Sequence, residues 1–297
     1  MDKPEPEWNL YRAFLAVLQA GSLSAAAREL GMAQPTVGRH IDALEQAVGC
    51  ALFVRSQHGF LPTDQALQLR PYAESLAATA SAFLRAATSH GDGARGTVRV
   101  TAGEMVGCEL LPPILARLRH DYPELKIELA LSNRMQDLLR READIAVRLQ
   151  RPEQEGLVAR RVGAIELGLH AHADYLARRG TPASLAQLRE HSLIGFDHET
   201  AFIRTLKHQL GDLKRDDFAL RADSELAQLA AMRAGCGIGI CEAGLAAREP
   251  KLVRLLPDLF SVKLDAWVAM HDDLRESKRC SVVFAAIADG LAAQVSV

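Results

Sequence analysis

The chain has 297 residues, enough for about two domains of ordinary size, and its 48% hydrophobic and 24% charged residues exclude a disordered or collagen-like protein. Its 35 basic and 37 acidic residues leave a net charge of -2, which names no partner and lacks the basic footprint common in nucleic-acid binders. The acidic, proline-broken opening Asp2-Lys3-Pro4-Glu5-Pro6-Glu7 is unlike a secretory signal, and Arg233 and Asp289 interrupt the most apolar tracts, so a cytoplasmic chain with no membrane partner is expected.

From Asn9 to Ala20 the apolar residues Leu10, Phe14, Val17 and Leu18 share one helical face, and Gly21 ends the run. Ser22 is placed to cap a short helix over Ser24 to Leu30, whose Ala25-Ala26-Ala27 run leaves little bulk between packed helices before Gly31 stops it. Gln34-Pro35 then opens a third helix with proline in its first turn, and Val37, Ile41, Leu44 and Val48 are expected on its buried face. Two helices meeting at a tight turn fit either a plain helical bundle or a helix-turn-helix, whose second helix enters the major groove of double-stranded DNA. The exposed N-terminal half of the third helix favours the latter, because Gln34, Thr36, Arg39 and His40 offer hydrogen-bonding groups where base edges would lie.

Cys50 to Arg55 reads as an apolar strand that turns at Ser56-Gln57-His58-Gly59 and returns through Phe60-Leu61, a two-stranded wing. From Thr63, a plausible cap, a helical pattern runs to about Ser89 with Leu69, Leu76 and Phe83 seven apart, a stripe that suits a partner helix. Pro71 is expected to kink or restart it. His90-Gly91-Asp92-Gly93 has the composition of a hinge. Beyond it, strands at Val98–Thr101, Leu125–Leu131, Asp144–Arg148 and Glu166–His170 alternate with helices such as Leu110–Arg119, which predicts parallel sheets covered on both faces.

The nine residues from Ser22 to Leu30 and the run Gln34-Pro35-Thr36-Val37-Gly38-Arg39-His40-Ile41-Asp42-Ala43-Leu44-Glu45 resemble the LysR-type transcriptional regulators. The likeness continues through Gly49 to Arg55, Gly96 to Val100, Leu111-Pro112-Pro113, Ala143 to Arg148, Leu157 to Arg161 and Gly235 to Ile240. It implies an α/β protein with an N-terminal winged helix-turn-helix, a long linker helix and a two-lobed effector domain like a periplasmic binding protein of type 2. The corresponding boundaries are 1–64 for the DNA-binding domain, 65–91 for the linker or dimerisation helix and hinge, and 92–297 for the effector domain. Within the last, lobe I is 92–163 with 268–297 and lobe II is 164–267. The expected function is sequence-specific DNA binding at promoter half-sites, modulated by a small-molecule effector, in a homodimer or homotetramer. Against it stands a two-lobed solute-binding or enzymatic protein with an N-terminal helical appendage. Ala33 and Gly38 stand where the family commonly has serine, which removes a helix cap and a hydroxyl.

The DNA-contacting set is therefore Ser22, Gln34, Pro35, Thr36, Arg39, His40 and Arg55, with Arg55 beside the wing placed for phosphate. In open α/β sheets ligands bind outside the carboxyl ends of strands, where helix N-termini offer free N–H groups. That rule selects Thr101, Ala102, Gly103, Glu104, Ser132, Asn133, Arg148, Phe196 and Ser224 as effector-binding candidates. Arg148 suits a carboxylate and an inward-facing Glu104 an amine, which points to a zwitterion or hydroxy acid. Enzymatic signals are weak: Gly235-Cys236-Gly237-Ile238-Gly239 lacks the third glycine of a dinucleotide loop, and no nucleophile elbow is visible. His170 and His172 have no companions that complete a metal set, so no catalytic residue, metal or cofactor is expected. Of the cysteines Cys50, Cys108, Cys236, Cys241 and Cys280, the apolar-flanked Cys236 and Cys241 are read as buried packing thiols.

Overall fold

The computed structural model describes residues 5–56, 59–87, 94–132, 143–152, 156–199, 203–204, 206, 209–211 and 213–295. The hinge at 90–93 and Asn133 lie outside the described residues, as does the Arg55 side chain, whose backbone alone is described. The chain divides into two compact units, with Ala87 the last described residue of the first stretch.

In the first unit, α1 (Trp8–Ala20), α2 (Leu23–Leu30) and α3 (Gln34–Val48) end at Gly21, Gly31 and Gly49, all in the left-handed region with φ of 67°, 65° and 81°. Glycine reaches that conformation without strain, which is why these three positions close helices. The Ser22 hydroxyl accepts the Ala25 N–H at 3.2 Å and so caps α2, whereas Ala33 supplies no side-chain cap to α3. Phe14, Val17, Ala26, Val37, Ile41 and Leu44 form the shared core, with Ala26 and Ala27 buried between the helices. Val48 does not join it. At the last position of α3, a turn beyond Leu44, it is 41% exposed, because the helix end projects past the neighbours that bury the rest of the face.

β1 (Phe53–Ser56) and β2 (Gly59–Pro62) pair antiparallel with Val54 opposite Leu61. The Phe53 ring roots the hairpin, lying 5.8 Å from each of Phe14 and Phe60. Thr63 joins wing to helix: its hydroxyl donates to the Ala51 carbonyl at 2.9 Å and accepts the Ala66 N–H at 3.2 Å. The following α4 (Asp64–Ala87) continues through Pro71 as one helix instead of restarting there. Ala66 and Ala73 on either side of the proline are buried in the first core, so tertiary packing holds the helix across its missing N–H. Leu69 packs partly on this core too.

The second unit carries a nine-stranded sheet whose path begins β4-β3-β5-β11 and continues β6-β9-β7-β8, with β10 added to β6. Its strands are β3 (Gly96–Ala102), β4 (Leu125–Leu131), β5 (Ile145–Arg148), β6 (Leu157–His172), β7 (Leu193–Gly195), β8 (Phe218–Arg221), β9 (Ile238–Glu242), β10 (Leu252–Leu255) and β11 (Val262–His271). Its described helices include α5 (Leu111–Asp121), α6 (Ala173–Arg179), α7 (Glu225–Arg233), α8 (Ala243–Ala246) and α9 (Lys278–Val295). The sheet is not simply parallel as expected. β3 pairs parallel with β4 and β5, and β7 with β8 and β9, but β6 runs antiparallel to β9, β10 and β11. The reason is topological: β6 carries the chain from one half of the unit to the other and β11 brings it back, so the two must oppose each other. Each half has its own core, one around Val98, Ile145, Val268 and Ile287, the other around Leu169, Leu193, Ile238 and Phe260.

Among the cysteines, Cys241 and Cys280 are buried, but Cys236 is exposed and corrects the packing assignment. It follows Gly235, at φ 73°, in the turn that leads into β9, so its apolar neighbours are buried while it faces solvent.

Candidate functional site

The exposed start of α3 brings together Gln34, Pro35, Thr36 and Arg39. Ser24 on α2 donates its hydroxyl to Gln34 Oε1 at 3.0 Å, which orients the amide and leaves its NH₂ available as a donor. Arg39 donates to Thr36 Oγ1 at 3.3 Å, so these two groups are presented as a pair. His40 is only partly exposed, and its Nδ1 is buried without a hydrogen-bond partner among the described residues. Ser22 spends its acceptor on the α2 cap, and its hydroxyl proton remains for an external oxygen. The sequence reading missed Ser24, whose partner ten residues away lies on another helix. It also missed Glu45, whose Oε1 accepts the wing-root N–H groups of Leu52 at 2.7 Å and Phe53 at 3.1 Å.

In the second unit a polar site forms at the carboxyl ends of β3 and β5. Thr101 is buried, and Arg148 donates to its Oγ1 at 3.0 Å and to the Val147 carbonyl at 2.9 Å. Ala102 accepts the Ser132 N–H at 2.8 Å, which joins the end of β3 to the end of β4. Gly103 accepts the Gly107 N–H at 2.8 Å and starts the turn that continues as one π-helical turn over Val106–Leu110. Gly107 lets the Leu131 side chain lie close against this turn, since a Cβ there would fall 2.3 Å from Leu131 Cδ2 and push that side chain aside.

Glu104 faces the opposite half, where its Oε2 accepts the Ser224 hydroxyl at 2.9 Å. Ser224 also accepts the Ala227 N–H at 3.3 Å and caps α7. The next residue, Glu225, accepts the Met105 N–H at 3.3 Å, and burial together with the nearby Glu104 charge raises its pKa. Glu104, Ser224 and Glu225 thus tie the two halves together, and Arg233 adds a bridge by donating to Glu109 at 3.0 Å and pairing with Glu249. Among the described effector candidates, Phe196 lies apart from this polar group, in an apolar pocket bounded by β7 and Phe218. The Arg148 guanidinium with the Thr101 hydroxyl, and the Glu104 carboxylate with the Ser224 hydroxyl, are polar groups of the kind that hydrogen-bond small polar molecules. No group here is arranged as a nucleophile with its base.

Comparison with known proteins gives two family matches: the bacterial regulatory helix-turn-helix protein, lysR family, over residues 8–67, and the LysR substrate binding domain over residues 91–292. The HTH-type transcriptional regulator CrgA of Neisseria meningitidis serogroup C is 27% identical over 264 residues, which are 87% of this chain and 88% of that protein. An HTH-type transcriptional regulator of Xanthomonas campestris pv. campestris is 29% identical over 178 residues, and the match spans about half its length (52%) and 60% of this chain. The solved structure of Neisseria meningitidis CrgA, a LysR-type transcriptional regulator, superposes with a TM-score of 0.59 at 25% identity, covering 97% of this chain and 99% of that one. Among the described residues, no helix is long and apolar enough to cross a membrane.

Proposed function

Because the chain belongs to the LysR family of transcriptional regulators, with a DNA-binding helix-turn-helix and an effector-binding domain and no enzymatic role, we propose how its own residues carry that function. The start of α3 reads base edges through Gln34, Thr36 and Arg39, with Pro35 and His40 alongside and Ser22 and Arg55 on phosphate. The observation that carries this reading is the Ser24–Gln34 bond, which holds the amide in place before DNA arrives and so lowers the ordering cost of binding. In domain terms, 1–64 binds DNA, 65–91 is the linker, and 92–297 binds effector, its lobes being 92–163 with 268–297 and 164–267. The protein acts in the cytoplasm as a homodimer or homotetramer on paired promoter half-sites.

Arg39→Ala is expected to weaken specific binding by roughly 1–3 kcal/mol and to relax discrimination at one base pair. Arg55→Ala is expected to weaken binding to all sequences alike, as loss of a phosphate contact does. Mobility-shift titrations on the DNA upstream of the protein's own coding sequence check both. Unchanged affinity in the two variants would remove α3 from the groove.

The effector sits between Thr101, Ala102, Gly103, Ser132 and Arg148 on one side and Glu104 with Ser224 on the other, whereas Phe196, a candidate on the sequence, lines the apolar pocket beside β7 instead. Arg148 supplies a fork for a carboxylate, and Glu104 a partner for an amine or hydroxyl. A ligand that enters must break or extend the Glu104–Ser224 bond, so its occupancy is coupled to the closure of the two halves. Binding regulates because the ligand prefers one arrangement of the assembly over the other. A metabolite found by thermal shift should bind Arg148→Ala at least roughly tenfold more weakly in calorimetry. Equal affinity would take Arg148 out of the site, and binding without any change in DNA affinity, bending or transcription would overturn the switch.

A further inference from the structure

A pocket of about 90 Å³ lies within the half of the second unit built on β7, β8 and β9. Its apolar lining includes Leu193, Leu206, Leu210, Leu213, Phe218 and Ile238, and none of Thr101, Glu104, Ser132, Arg148 or Ser224 reaches it. Protein interiors leave few voids larger than a water molecule, which needs roughly 10–15 Å³ of such space, so this pocket is large for a packing defect. Water fills such a space poorly, because each molecule needs two to four polar partners. The Gln228 amide in the lining already donates through Nε2 to the Ala222 carbonyl at 2.6 Å.

The sheet side of the pocket is constrained against collapse. Gly195 has no Cβ, and one placed there would fall 2.5 Å from the Phe218 ring, so the ring lies directly against β7. On the polar side, Asp197, His198, Glu199 and Arg215 line the pocket, and all four are engaged within the protein: Arg215 pairs with Asp197, His198 with Asp223, and Glu199 has a contact of its own. A charged ligand head would have to displace one of these partners, whereas an uncharged ligand disturbs neither pair.

We propose that this pocket is a second ligand site, separate from the polar site at the ends of β3 and β5, and that it takes a small uncharged apolar molecule the size of a benzene ring or a short alkyl chain. Space walled mainly by leucine, isoleucine and phenylalanine side chains is the kind that takes up such molecules. Occupancy can be felt at the polar site, because Gln228 sits on α7, the helix whose cap Ser224 holds Glu104. The proposal stands independently of which effector the polar site binds.

The test uses the full chain with ¹³C-labelled Leu, Ile and Val methyl groups, titrated separately with toluene and with benzoate. Toluene is expected to shift the methyls of Leu206, Leu210 and Ile238 saturably, and benzoate to bind there roughly tenfold or more weakly because its carboxylate must be desolvated. Leu210→Trp, which fills the space, is expected to abolish the toluene response. Should that variant fail to fold, the wild-type methyl map decides alone. Absence of saturable shifts, or shifts confined to Val147 and Leu131 beside the polar site, would overturn the pocket as a ligand site. An equal response to benzoate would overturn the ligand class. A mobility-shift titration of the same sample on DNA reports separately on the regulator function.

Discussion

Replacing Leu76 and Phe83 together with glutamate is expected to convert the assembly to monomers in analytical sedimentation and to abolish binding to paired half-sites. Leu76 is 45% exposed and Phe83 is 72% exposed, and Tyr72 and Leu84 on the same helix are exposed as well. Ala66, Leu69 and Ala73 hold the first half of α4 on its own core, so the second half presents apolar side chains that its own core does not cover. Burying a leucine or phenylalanine side chain is worth roughly 1.5–3 kcal/mol, so two from each protomer contribute roughly 6–12 kcal/mol to a two-fold helix pair. The double substitution removes that gain and places four carboxylates at the contact, which should weaken association by at least roughly 10³-fold. Half-site pairing fails with it, since a dimer reads two half-sites through its own spacing. An unchanged mass in sedimentation would move the interface away from α4.

Glu45→Ala is expected to loosen the wing by roughly 3–6 kcal/mol while leaving α1 to α3 folded. Its carboxylate accepts two backbone donors at the wing root, Leu52 at 2.7 Å and Phe53 at 3.1 Å, and bonds to a charged acceptor are worth roughly 1.5–3 kcal/mol each. Leu52 is fully buried, so its N–H cannot find water in compensation without local opening. Amide hydrogen exchange at Leu52 and Phe53 should quicken by roughly two to four orders of magnitude, in step with that free energy, while exchange in the middle of α3 stays slow. Glu45→Gln keeps an acceptor oxygen and should lose about half as much. DNA affinity should fall in the alanine variant, because the root of the wing is no longer tied to α3. Unaltered exchange at both amides would mean that the Thr63 clamp suffices to hold the wing.

The sequence alone determined the features that arise between near neighbours. The helical faces of α1 to α3, the left-handed glycines at their ends and the Ser22 cap each depend on residues within about four positions, and that is the range over which periodicity and capping rules operate. The family likeness rested on the same local motifs. Tertiary structure decided what depends on residues far apart in the chain. The hydrogen bond between Glu104 and Ser224 spans 120 residues, and no spacing rule connects them. Val48 and Cys236 are exposed where burial was expected, because an apolar pattern says which side of an element is greasy but not how far the neighbouring element extends to cover it. Pro71 could stay inside α4 because residues of the first core grip the helix on both sides, a compensation that local propensity does not contain. The opposed directions of β6 and β11 and the pocket beside β7 follow from where the chain crosses and returns, and crossing is a property of the whole path.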